Sequence, residues 1–307
     1  MHLLDSEQLA KIIQINKIYI AYPRFQRILF EIQRIQEESH ATRTPRCMLI
    51  TGETGVGKSS LIAQYIKMNP SGKSIDGRVM PVLKIEVPLP ATISALITAM
   101  LEALSADFAN TGTLSKRRSN LVSLMTGCGV KLVIIDEFQH LVERGSDIKI
   151  GNVADWIKSL INETNIPIVL VGVPTAMAVL EHSPQLARRF PMRREIKPFD
   201  FVREPSEFMK LLEHFDEQLP FARISGLADP DLAPRLFLAS KGVFGHLAFL
   251  IQEASRFCLL AGSARLEKVH FVDAYALYGA PLAKGGENPF KISAEQVLSR
   301  IAKLRSK

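Results

Sequence analysis

The sequence contains no run of about eighteen uncharged apolar residues, the length that a membrane-crossing helix needs. Its start, MHLLDSEQLAK, lacks the basic stretch followed by an apolar run that marks a secretory leader. Cysteine is scarce. Cys47, Cys128 and Cys258 lie far apart, with no CxxC pair and no Cys/His cluster, so neither a disulfide framework nor a zinc site is indicated. From these absences we expect a cytoplasmic chain in a reducing compartment, with no membrane partner. No internal repeat, low-complexity tract, helix-turn-helix or zinc finger is recognisable. A surplus of acid is also missing: 38 Lys and Arg face 31 Asp and Glu, for a net charge of +7. That balance favours a polyanionic partner such as nucleic acid, although it is modest beside that of dedicated DNA-binding domains.

What is present reads as an ordinary globular protein, 47% hydrophobic and 22% charged over 307 residues. That length suits an α/β domain and a smaller helical one, each with its own core. Residues 24–38 carry Phe25, Ile28, Leu29, Ile32 and Ile35 at three-and-four spacing, which predicts an amphipathic helix. Five short apolar runs predict strands: 47–51, 81–87, 132–136, 166–172 and 193–199. Helical patterns separate them, so a parallel sheet flanked by helices is expected. From about Glu204 onward only helical spacing remains. The predicted organisation is an N-terminal helical segment (1–45), the α/β domain (46–200), an all-helical lid domain (201–279), and a Gly/Pro-rich linker with a basic amphipathic tail (280–307).

Between the first strand and its helix, Gly52-Glu53-Thr54-Gly55-Val56-Gly57-Lys58-Ser59 matches GxxxxGK[ST]. The glycines let backbone N–H groups curl toward phosphate oxygens, and the helix that follows, through Ser60, presents its positive end. Lys58 is placed to neutralise the β- and γ-phosphates of ATP. Ser59 offers a hydroxyl to Mg2+. Further along, Leu132-Val133-Ile134-Ile135-Asp136-Glu137 ends an apolar strand in two carboxylates. Asp136 is expected to reach the Mg2+ shell, and Glu137, one residue on, to polarise the attacking water. The pair argues for hydrolysis as well as binding. Lys58 and Glu137 are thus catalytic candidates, with 52–60 and Asp136 holding the nucleotide.

These boxes resemble those of AAA+ ATPases, and the resemblance implies further residues. The end of the fourth strand, where such proteins usually orient the lytic water, reads Val171-Gly172-Val173-Pro174-Thr175, with Thr175 the nearest polar candidate. Gln185-Leu186-Ala187-Arg188-Arg189-Phe190 resembles the arginine-finger box, which acts from a neighbouring subunit; Arg189 is the preferred finger and Arg188 its alternative. At Gly242-Val243-Phe244-Gly245-His246 the second sensor arginine is absent, and His246 reads either as a nucleotide contact or as a structural histidine.

Together with Tyr22-Pro23-Arg24 and the Leu186–Phe190 run, the chain looks like the TniB/TnsC family of transposition regulators over roughly residues 15–260. The resemblance implies an ATPase that forms homo-oligomeric rings or filaments on duplex DNA, recruits a transposase and communicates with a TniQ-like target-selection protein. Lys116, Arg117 and Arg118, a basic helix start inside the ATPase domain, are the candidate contacts to the DNA backbone; the other reading is a solvated helix end. Two alternatives stay open: a helicase-loader or initiator ATPase, and a signalling ATPase directed at protein partners.

Overall fold

The computed structural model describes residues 5–20, 22–75, 77–107, 109–142, 147–283 and 287–305. The chain opens with α1 (Ser6–Asn16) and α2 (Pro23–Thr42), followed by β1 (Met48–Gly52) and α3 (Lys58–Met68). A short hairpin, β2 (Gly72–Ser74) and β3 (Gly77–Val79), precedes β4 (Val82–Glu86), α4 (Ile93–Ala103) and α5 (Leu114–Gly127). Next come β5 (Leu132–Asp136), α6 (Asp147–Thr164), β6 (Ile168–Gly172), α7 (Ala178–His182), α8 (Pro184–Ala187) and β7 (Met192–Ile196). The remainder is helical: α9 (Pro205–Gln218), α10 (Leu232–Ser240), α11 (Phe244–Leu260), α12 (Lys268–Ala283) and α13 (Ala294–Arg305). Among the described residues no single helix is long and apolar enough to cross a membrane.

Two compact units result, one formed by 23–196 and the other by 1–22 with 197–307. In the first, all five strands expected from the sequence form one parallel sheet in the order β4-β5-β6-β1-β7. Every residue of β1, β5 and β6 is buried, as a sheet covered on both faces requires, which is why these strands read as unbroken apolar runs. The edge strand β7 instead alternates, with only Ile196 fully buried. Parallel pairing aligns the C-terminal ends of β1, β5 and β6. The loops that leave those ends carry the phosphate motif, the paired carboxylates and the Val173–Thr175 turn. Ligands of open α/β sheets collect at that edge.

The second unit shows where the expected domain limits and the observed units differ. The first helix packs with the C-terminal helices: Gln8 of α1 donates from Nε2 to the Leu259 carbonyl at 2.8 Å, and an Asp5/Gln8 capping box starts the helix. Tyr22 is buried with its ring centroid 5.0 Å from that of Phe199, so the tyrosine of the Tyr-Pro-Arg run serves this core. Within the expected basic tail, Ala294–Arg305 form α13. Val297 and Ile301 of α13 are buried, and Phe290 stacks on Phe271 at 5.3 Å.

Arg235 on α10 holds that segment. Its side chain is 3% exposed and donates to the carbonyls of Pro289 and Ile292, both at 2.7 Å, while its Nε and Nη2 reach Asp231. A buried carbonyl stripped of its donor costs about 1–3 kcal/mol. Arg235→Met is therefore expected to destabilise the helical unit by about 3 kcal/mol in urea denaturation. An unchanged midpoint would mean that α13 is held by its apolar residues alone. All three cysteines are buried, and burial pushes the thiols of Cys47 and Cys258 up to about 12 and about 11.

Candidate nucleotide site

The phosphate motif grows out of the end of β1. Gly52 pairs with Ile196 of β7, and a Cβ at Gly52 would lie 2.5 Å from the Ile196 carbonyl oxygen, so no larger residue fits there. Gly55 and Gly57 take φ of 83° and 100°, left-handed conformations open to glycine at little cost. Glu53 and Thr54 are exposed, whereas Val56 is buried and anchors the loop from beneath. No side chain caps α3 at Gly57, which leaves its first N–H groups open to an anion. Ser59 and Ser60 stand exposed in that first turn.

Lys58 is 6% exposed, and its Nζ donates to the carbonyls of Gly52 at 2.8 Å and Glu53 at 3.0 Å. An ammonium has three protons, so one remains for a ligand. Burial pulls the Lys58 pKa down, and the charges of Glu137 and Asp136 only partly restore it. A phosphate would complete that compensation.

Asp136 ends β5 at 3% exposure. Its Oδ1 accepts from the Glu137 N–H at 3.0 Å, and its Oδ2 lies 3.9 Å from Lys84 Nζ. Burial raises the Asp136 pKa above the ordinary carboxylate value, against the lowering influence of that hydrogen bond and of Lys84; Glu137 and Glu86 push it further up. A buried carboxylate with this much uncompensated charge, together with the exposed Ser59 hydroxyl, is a hard-oxygen donor set that fits Mg2+.

Glu137 takes φ 53° and ψ 36°, left-handed for a non-glycine residue, and starts a 3-10 turn over Phe138–Leu141. Such a conformation costs about 1–3 kcal/mol and clusters at functional sites. Its carboxylate is one-third exposed, accepts a hydrogen bond from Gln139 Nε2, and lies 4.0 Å from His140 Nε2.

Two site residues escaped the sequence reading. Lys84 alternates with Glu86 along β4, and the pairing of Glu86 with Asp136 brings both beside the carboxylate pair. A charged pair at i and i+2 in a strand otherwise apolar was the only available signal. Gln139, 4% exposed, sends its Oε1 to the Val173 N–H at 3.1 Å. Thr175, the expected water-orienting residue, is exposed in a 3-10 turn over Pro174–Met177.

The arginine pair separates in the structure. Arg189, preferred from sequence, donates from Nη2 to Asn162 Oδ1 at 2.9 Å, whereas the Arg188 side chain is exposed and makes no hydrogen bond or ion pair among the described residues. The basic cluster at the start of α5 separates too. Arg117 is buried and donates to Thr98, Asn110 and Ser94, tying α5 to α4; Arg118 binds Glu163 and Ser159 of α6. Only Lys116 of the three is exposed without a side-chain partner among the described residues. His246 lies half-buried in the first turn of α11, within the helical unit.

A family model described as Bacterial TniB protein matches residues 11–198. No curated protein matches the chain. Among solved structures, the chain is similar to the ORC2 protein of Aeropyrum pernix in its ADPNP-ADP complexes, at 13% identity and a TM-score of 0.62, covering 94% of this chain and 82% of that one. It is similar to the ORC1 protein of Aeropyrum pernix in complex with DNA, at 17% identity and a TM-score of 0.60, covering 96% and 81%. Cdc6p from Pyrobaculum aerophilum gives 12% identity and a TM-score of 0.63 over 95% and 89%. At these identities the likeness is one of fold: a parallel AAA+ sheet with flanking helices and a helical C-terminal part.

Proposed function

We propose that this chain, which belongs to the TniB family and is an ATPase of the AAA+ fold, acts as a DNA-binding regulator of transposition whose ATP site is completed by a second copy of itself. The observation that carries the reading is an unfinished site. One chain supplies the phosphate loop, Asp136 and Glu137, while Arg188 stands exposed with no internal partner among the described residues. An arginine left free in this way suits delivery to a neighbour's γ-phosphate.

The chain's residues divide the work. Backbone N–H groups of 55–60 and the third proton of Lys58 hold the phosphates. Ser59 and Asp136 would hold Mg2+, which neutralises charge on the transferring phosphoryl group when bound. Glu137, aimed off the strand edge by its left-handed backbone, accepts a proton from the attacking water. Arg188 of an adjacent copy stabilises charge on the transferred group. ATP then acts as the switch that builds the assembly, and its hydrolysis as the step that releases it.

The DNA part rests on the family, on the net charge of +7 and on the initiator-like fold, for which the Aeropyrum pernix ORC1 protein is described in complex with DNA. Backbone contact without base reading is the expected mode, with strong salt dependence. With Arg117 and Arg118 occupied inside the protein, Lys116 is the member of the α5 cluster able to make it. A transposase and a TniQ-like protein are the proposed protein partners, on the strength of the family.

Sedimentation and negative-stain imaging with duplex DNA test the reading across ATP, a non-hydrolysable analogue, ADP and no nucleotide. Large assemblies on DNA are expected with ATP and the analogue only, and are expected to disappear in Lys58→Ala. A protein that stays monomeric and ignores DNA in every state would instead point to an ATPase directed at protein partners.

A further inference from the structure

The end of β6 carries no polar side chain of its own, and the space where one would sit is already taken. A Cβ added to Gly172 would come within 2.5 Å of Gln139 Oε1 and 3.2 Å of the Ala176 Cβ. Gln139 comes from the 3-10 turn after β5, two residues past Glu137. Its carboxamide is bonded at both ends: Oε1 accepts from the Val173 N–H at 3.1 Å, and Nε2 donates to Glu137 Oε2. At 4% exposure it has almost no water to exchange with. Without this contact the Glu137 side chain, one-third exposed, would be free to change rotamer. With it, Oε2 is held, and Oε1 is left without a partner among the described residues, free to take a proton.

We infer that Gln139 is a positioning residue for hydrolysis, which reaches across from β5 to the backbone at the end of β6 and locks the Glu137 carboxylate in the orientation that activates water. The inference rests on Glu137 acting as the base. Gly172 belongs to the same device, because only a residue without a side chain leaves room for the amide. The bridge also ties the rotamer of Glu137 to the Val173–Thr175 turn, so a displacement of that turn would release the base without touching the phosphate loop.

The test uses the full chain with duplex DNA and ATP. Steady-state kcat and KM are measured, and nucleotide affinity is measured separately with a fluorescent ATP analogue. Gln139→Ala is expected to lower kcat about tenfold to a hundredfold, no more than the roughly hundredfold or greater share that the base itself contributes, with KM and nucleotide affinity unchanged. Gln139→Glu keeps the size of the side chain but sets a carboxylate against Glu137. The amide donor is lost while the volume is kept, so kcat is expected to fall as in Gln139→Ala, again with KM and nucleotide affinity unchanged. Gly172→Ala, whose backbone φ suits any residue, is expected to reproduce the kcat loss by displacing Gln139. Melting temperatures of the three variants identify any that fail to fold.

Unchanged kcat in Gln139→Ala and Gly172→Ala, or in Gln139→Glu, overturns the inference. So does a loss of turnover that merely follows a loss of nucleotide affinity. Glu137→Gln runs alongside: if that variant still hydrolyses ATP, the base assignment itself fails. If it is inactive while the Gln139 and Gly172 variants behave as wild type, only the role of Gln139 is rejected.

Discussion

Arg188→Ala is expected to lower ATP turnover of the assembled protein by about a thousandfold or more, the scale on which an arginine finger acts. Arg189→Ala is expected to do far less. The two side chains are neighbours in one short box, yet Arg189 is committed to Asn162 at 2.9 Å while Arg188 is exposed and without a partner among the described residues. Removing Arg189 forfeits one hydrogen bond, worth about 1 kcal/mol of stability. On the proposed reading, removing Arg188 forfeits charge stabilisation at a neighbour's phosphate, and should leave the chain's own nucleotide affinity intact when it is dilute and monomeric. Mixing supplies the decisive measurement. An Arg188→Ala chain retains a sound phosphate loop and base, and a Glu137→Gln chain retains a sound finger, so two inactive proteins should regain turnover together. If the mixture stays inactive, or Arg188→Ala turns over normally alone, the finger lies elsewhere.

Lys58→Met should separate affinity from stability. In the proposed role the ammonium would meet phosphate through charge-assisted hydrogen bonds, and truncating one partner of such a pair costs about 2–5 kcal/mol, so ATP affinity should fall by about two orders of magnitude or more. The apo protein should not weaken in proportion. Burial lowers the folded-state pKa of Lys58 beneath its ordinary 10.5, which means the charged form is penalised by folding. Between the folded and unfolded pKa values the unfolded chain binds more protons, so stability gained from this group rises with pH through that window and is absent below it. At neutral pH methionine removes the penalised charge while filling similar volume. Against that, two carbonyls lose a donor, and the net change in unfolding free energy is expected to stay within about 1 kcal/mol. A large drop in both apo stability and affinity would show that Lys58 is a structural prop of the loop.

The five strands and the glycine-rich loop after the first of them were legible because their causes are local: apolar runs of strand length, glycines at fixed offsets, and carboxylates at a strand end. What escaped was decided across the chain. Nothing in Arg188-Arg189 distinguishes the two until Asn162 of α6 claims one of them. Lys116-Arg117-Arg118 reads as one basic patch, but acceptors on α4 and α6 draw two of its members inward. The terminal segment reads as a tail because Gly and Pro precede it, yet Arg235, far upstream, gathers its carbonyls. The hairpin of β2 and β3 is too short and too exposed to leave a hydrophobic pattern. Gln139 was invisible for another reason: its meaning depends on the bareness of Gly172, a strand away.

The burial of the three thiols has a practical side. With Cys47 and Cys258 held far above the pH at which thiolates form, and Cys128 also enclosed, the folded chain offers almost nothing for a maleimide to alkylate. A single surface cysteine, such as Lys131→Cys or Glu213→Cys, can then carry a dye or a crosslinker with the native three left in place. Distances between copies in the proposed assembly on DNA then become measurable by energy transfer, one chosen position at a time.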